Sequence, residues 1–168
     1  MRKIYISILF FSLITMSSAL NAQVHKLKAT FITGIIRYMQ WPQTSGGDFI
    51  IGVLDVNHPI TTELNGMAGG RKVGLSQIKV VEFESIQSLT SCNILFIPKK
   101  NTSLSKKCLD KLVNSHVIII TEEQDWVPRE ATINFKSVEN KLAFNLNTSN
   151  AAAQKVQISE KLKQMASN

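Results

Sequence analysis

The chain has 168 residues, 44% of them hydrophobic, which suits one domain with a real buried core. Its 19 Lys and Arg against 12 Asp and Glu give a net charge of +7, yet no Arg-rich run or aromatic RNA-binding motif appears, so nucleic acid is set aside as a partner. The three histidines, His25, His58 and His116, stand apart in sequence from one another and from Cys92 and Cys108; a zinc site needs three or four convergent ligands, so no metal and no cofactor is expected.

The first element is a leader. Met1-Arg2-Lys3 is a basic start, Ile4 to Met16 is apolar, and Ser17 to Ala22 is rich in small residues, the three parts of a secretion signal. The apolar stretch falls short of the roughly 20 residues of a spanning helix. Cleavage is expected after Ala22, with Ala19 as the alternative, leaving 23–168 as one soluble, exported domain. The leader takes Arg2 and Lys3 with it, so the 17 remaining basic residues give a mature charge of +5.

A helix is expected over Val24–Gln40, with Leu27, Phe31, Ile35 and Met39 recurring every four residues and Ile32 and Ile36 widening the stripe. Trp41-Pro42 stops it, because the residue before proline is steered away from helical geometry. Phe49–Leu54 is a continuous apolar strand of the kind covered on both faces. Asn57 offers a cap and Pro59 suits a first helical turn, so a helix to about Met67 follows. Ile78–Phe83 is a second strand, and Ser85 caps a short helix to Leu89. Asn93–Ile97 is the third strand, ended by Pro98; Ser103 caps a helix to Val113; Val117–Ile120 is the fourth strand.

Two alternating runs close the chain, Ala131–Val138 and Lys141–Asn147. With Glu139-Asn140 as a two-residue turn, Phe135 faces Phe144 and Ile133 faces Leu146, all on one side, as one buried face of an antiparallel pair requires. Thr148 or Ser149 then caps a final helix whose stripe is Ile158, Leu162 and Met165. The alternation of strand and helix to residue 120 implies parallel strands with crossover helices. The expected fold is therefore α/β: a three-layer sandwich with a mostly parallel, Rossmann-like sheet, then an antiparallel hairpin and a helix. Cys92 opens a strand and Cys108 lies in the next helix; a strand length of about 17–20 Å argues against a bridge between them.

Catalytic motifs are missing. In Gly66 to Val73, Arg71 replaces the second P-loop glycine and Val73 the magnesium-binding hydroxyl. Gly74-Leu75-Ser76-Gln77-Ile78 lacks the closing glycine of a nucleophile elbow. Glu122, Glu123 and Asp125 read as a solvated loop. Ligands of open parallel sheets bind beyond the carboxyl ends of the strands, and those ends supply Asp55, Asn57 and His58, then Pro98, Lys99 and Lys100, then Thr121 and Glu122. Helix starts after Asn57 and Ser103 offer amides to a small anionic ligand. Tyr38, Trp41 and Trp126 are the candidates for an apolar partner surface.

Several segments in order resemble the YfiR-like family. They are Lys28-Ala29 with Phe31, then Tyr38 and Trp41-Pro42; Phe49 to Leu54; Cys92-Asn93-Ile94-Leu95-Phe96-Ile97; Ile133-Asn134-Phe135; Leu142, Phe144, Asn147 and Ala151; and Ile158-Ser159 with Leu162. The resemblance implies a non-enzymatic periplasmic regulator. Its best-known member represses an inner-membrane diguanylate cyclase, hence cyclic di-GMP signalling, by binding the periplasmic sensor region; related domains look like sensory modules of histidine kinases. It also implies a homodimer. This chain departs from the family where Asp55-Val56-Asn57 follows Leu54, and its two cysteines leave no room for control by more than one disulfide. A small-molecule-binding sensory module is the alternative reading.

Overall fold

The computed structural model describes residues 23–42, 47–113, 115–123, 125–139 and 141–167. The expected leader at 1–22 lies outside them, as does Asn140 of the closing turn. The described chain is mixed α/β. Helix α1 covers residues 23–35, followed by a 3-10 turn at Ile36–Tyr38 and strand β1, Met39–Gln40. Then come β2 (Phe49–Val53), α2 (Pro59–Ala68), β3 (Lys72–Val73), β4 (Ser76–Glu82) and β5 (Ile94–Ile97). A 3-10 segment at Lys99–Leu104 leads into α3 (Ser105–Lys111) and β6 (Ile118–Thr121). The chain ends with β7 (Ile133–Val138), β8 (Lys141–Leu146), α4 (Thr148–Ala153), β9 (Gln157–Ile158) and α5 (Glu160–Met165).

Seven strands form one sheet in the order β3-β4-β2-β5-β6-β7-β8. The five central strands are parallel neighbours, while β3 and β8 run antiparallel at the two edges. The closing hairpin has the register its pattern predicts: Phe135 opposite Phe144 and Ile133 opposite Leu146. All four side chains are buried in one cluster.

The apolar runs read as they do because the sheet divides the core in two. Along β5, Ile94 and Phe96 join the cluster under α1, α2 and the C-terminal segment, while Leu95 and Ile97 join a second cluster around Cys92, Cys108, Leu112 and Phe83. With apolar partners on both sides, no alternation is left to see. Gly52 of β2 marks the tightest point: a Cβ there would lie 2.7 Å from the Phe83 ring. A second glycine is used for its backbone. Gly74, at φ +59°, opens the two-residue turn between paired Val73 and Ser76, where a hairpin favours a left-handed residue.

Several expectations fail in instructive ways. The first helix ends at residue 35, not 40, because Met39–Gln40 is drawn into a two-stranded antiparallel ladder with Gln157–Ile158. That same ladder breaks the expected C-terminal helix into α4 and α5. Lys155 turns the chain at φ +58°, and the cap of α4 is Asn147, whose side chain accepts the Asn150 amide, rather than Thr148 or Ser149. Met165 of the expected stripe is exposed, whereas Leu162 is buried. Leu27 likewise points to water, and the buried seam of α1 is Ala29, Ile32 and Ile35. The segment from Ser85 is a turn, not a helix; the Ser88 hydroxyl bonds both the amide and the carbonyl of Ser85. Ser103 sits inside the 3-10 segment instead of capping a helix. Cys92 and Cys108 are free, as the argument from strand length expects, and both are buried in one cluster.

Candidate functional site: the cleft at the strand ends

The five parallel strands, numbered by their order in the chain, lie 2-1-3-4-5 across the sheet. The connections leaving β2 and β5 therefore depart in opposite directions, and a crevice opens between their carboxyl ends. A cleft of about 430 Å³ occupies that place, lined by Asp55, Asn57 and His58 after β2, by Pro98, Lys99 and Lys100 after β5, and by Glu122 after β6.

Local sequence builds the first wall. Leu54 is buried and directly follows β2, and its carbonyl accepts a 2.7 Å hydrogen bond from the Asn101 amide side chain, which ties the two walls together. Asp55 accepts the Val56 amide at 3.0 Å and pairs with Lys100 at 2.9 Å. Asn57 holds φ +56°, a conformation asparagine tolerates better than most residues. That bend makes His58, not Asn57, the cap of α2: its Nδ1 accepts the Ile60 amide at 3.3 Å. The amides expected to be free for an anion are already taken. Pro59 has none, Ile60 is capped, and the Thr61 amide donates to the His58 carbonyl at 2.9 Å.

The acidic loop is the largest surprise on the opposite side. Glu122 and Glu123 are buried, not solvated. Glu122 pairs with Lys28 of α1 and accepts the Lys99 backbone amide at 3.1 Å; Glu123 pairs with the Lys99 ammonium at 3.3 Å. Thr121 is fully buried and does not reach the cleft; its hydroxyl donates to the Asn134 carbonyl oxygen at 2.8 Å. Asn134 also accepts the Glu123 amide and donates to the Glu123 carbonyl, both at 2.9 Å, so one buried side chain fixes the start of the loop.

The histidines also prove less isolated than their spacing implied. His25 of α1 and His58 meet edge to face with ring centroids 5.1 Å apart, and His58 leans on Phe96. Burial, more than any charge, holds both imidazoles below their ordinary range. Lys28 adds to the effect at His25, against the pull of Glu122 and Glu63. At His58 the neighbouring His25 and Lys100 act in the same direction as burial, against Glu122 and Asp55. His116 lies elsewhere, its Nδ1 2.9 Å from the Gln154 carbonyl.

The rim thus sets Lys28, Lys99 and Lys100 against Asp55, Glu122 and Glu123, each cation engaged by a carboxylate. Such a site can bind a polar guest by exchanging partners. No group of three His, Cys, Asp or Glu side chains among the described residues could hold a metal ion. Burial pushes the Cys92 thiol up to about 12 and that of Cys108 to about 11, so neither is a ready nucleophile. Lys28 and Asn134 stand in the segments that resemble the family, His25 among the separate histidines and Glu123 in the acidic loop, but neither they nor Asn101 carry a spacing that tells which partners they meet.

Of the aromatic candidates, Trp126 is 52% exposed, with Val127 beside it also exposed. Tyr38 and Trp41 are partly buried. The Tyr38 ring lies under Arg37 and Lys161; Trp41 stacks edge-on against Phe49 and its indole N–H donates to the His116 carbonyl at 3.0 Å. Their first role is to anchor the end of α1.

The described chain is a mostly parallel α/β sheet with a charge-balanced cleft at its strand ends. The chain belongs to the YfiR/HmsC-like family (DUF4154), whose model matches residues 25–167. That family is known for periplasmic regulators of diguanylate cyclases, regulatory rather than catalytic. No curated protein matches the chain.

Proposed function

We propose that this protein is a non-enzymatic periplasmic regulator that binds the outer domain of a membrane signalling protein, a diguanylate cyclase or a sensor kinase. The observation that carries the reading is the family match over 25–167, which spans nearly all of the described chain. In this reading residues 1–22 are a leader removed on export, 23–168 are one three-layer, Rossmann-like domain, and the working form is a homodimer. No helix among the described residues is long and apolar enough to cross a membrane, which fits a regulator that reaches its partner from outside the bilayer.

The docking face we favour is the strand-end rim. Val56 lines the cleft, Trp126 and Val127 stand on the loop that Glu122 opens, and Val24 and Leu27 flank His25 and Lys28 on α1; all five are exposed apolar side chains. Aromatic anchors with an aliphatic surround are typical of energetically dominant contact sites. The tagged protein, used to capture partners from solubilised membranes of its own host, should recover a protein with a periplasmic sensor region. Recovery of none would defeat the reading.

A second reading has its own support in the cleft at the topological switch point: a small polar or anionic ligand held among Asp55, Asn57, His58, Lys99, Lys100 and Glu122. A ligand that binds only the folded state raises apparent stability. A thermal-shift screen of inorganic anions and amino acids should therefore give at least one positive shift, and a flat screen would remove this reading without touching the first.

A further inference from the structure

His58 occupies three positions at once. It caps α2, it lines the cleft, and it carries the contact between α1 and the strand ends through His25. The Ile60 amide can only donate, so Nδ1 of His58 must accept with its lone pair and the ring hydrogen must sit on Nε2. The next proton can go only to Nδ1, the capping atom. Both nitrogens of an imidazolium are donors, so no rotation of the charged ring restores an acceptor for Ile60.

We propose that His58 is a proton-operated latch: taking up a proton at Nδ1 ends the cap of α2, sets His58 against His25, and loosens α1 from the strand-end cleft. The charged surroundings decide the direction. From α1, His25 and Lys28 face the pair; from α2, Glu63; from the loop after β2, Asp55; from the segment after β5, Lys100; from the loop after β6, Glu122. Two of the three carboxylates are already committed, Glu122 to Lys28 and Asp55 to Lys100. A charged His58 must draw them from those lysines or move out toward water. Drawing Glu122 away unpins Lys28 of α1, and moving out breaks the ring contact with His25 of the same helix. Two further observations mark this corner as poorly satisfied: His25 Nδ1 and Thr61 Oγ1 are buried without hydrogen-bond partners. Thr61 sits on the first turn of α2, directly after the capped amide.

The latch does not depend on what docks at the rim, so it is tested on the isolated protein. Amide hydrogen exchange and side-chain nitrogen NMR would be followed from about pH 7.5 to about pH 5, the range in which histidine titrates. As His58 Nδ1 gains its proton, Ile60 should lose about fivefold in protection, the size of a lost helix cap, while the amides of β5 and β6 keep theirs. His58→Asn keeps an acceptor at the cap but cannot titrate, and should abolish the step. The proposal is overturned if Ile60 protection holds while the ring titrates, or if His58→Asn shows the same loss. Should that variant not fold, His25→Phe keeps a ring in contact without a second charge; an upward shift of the His58 midpoint supports the latch, and an unmoved midpoint counts against it.

Discussion

At the scale of single residues, Asn134 and Glu122 hold the site together. Asn134 is 2% exposed and makes three hydrogen bonds to Thr121 and Glu123. Asn134→Ala strands a buried amide and carbonyl of Glu123, so a denaturant melt should report a loss of about 2–3 kcal/mol. Glu122 answers for the ammonium of Lys28, whose side chain is largely buried. Removing one member of a buried pair leaves an uncompensated charge and costs about 3 kcal/mol. Glu122→Ala should therefore destabilise by that order, and Lys28→Met in the same chain should recover part of the loss. If the double variant is no more stable than the single one, the pair is not what holds α1 to the loop.

At the scale of elements, the closing hairpin offers the cleanest test, because its register puts neighbouring residues in opposite environments. Phe144 is buried and stacks with Phe31 of α1 at 4.6 Å. Phe144→Ala should cost about 3–5 kcal/mol in an unfolding titration. Val138, on the partner strand, is exposed, and Val138→Thr should stay within about 0.5 kcal/mol of the parent. A larger effect at Val138 than at Phe144 would mean that the register had slipped by one residue, which would turn every side chain to the other face. The outer edge of β8 is partly covered by the end of the chain: the Ser167 amide donates to the Phe144 carbonyl, and Lys136 and Asn145 donate to the Ser167 carbonyl. That cover occupies hydrogen-bonding groups that would otherwise template another strand.

At the scale of the whole molecule, two predictions separate stability from binding. His25 and His58 both titrate below 6.5 in the folded protein, first because of burial. The unfolded chain thus takes up protons before the folded one as pH falls. The stability these neutral rings contribute is complete above about pH 6.5 and is lost as pH falls through their folded values. Thermal unfolding in a pH series should show a Tm that drops below that point, with a shallower drop in His58→Asn; a slope equal in both proteins would assign the acid loss to other groups. Trp126 belongs to the surface. Trp126→Ala should leave Tm nearly unchanged yet reduce partner recovery from membranes at least about tenfold, the scale of an interface anchor. Undiminished capture would place the docking face elsewhere on the molecule.

What the amino-acid order determined alone is whatever a short window can encode. Apolar runs at 49–54, 93–97 and 117–120 define strands buried on both faces, and the alternation over 131–147 defines a hairpin together with its register, because a period of two leaves one arrangement that buries both phenylalanines. The position of the strand ends, and hence most of the cleft lining, follows from those runs. Tertiary structure alone decided the rest. Met39–Gln40 and Gln157–Ile158 become strands only because they meet, and a helical pattern yields to that pairing at both places. Lys28 finds Glu122 across 94 residues of chain, and His25 finds His58 across the rest of α1 and the strands β1 and β2. No local pattern carries such contacts, since each side chain reads as surface until the fold brings it to a partner and removes the water between them.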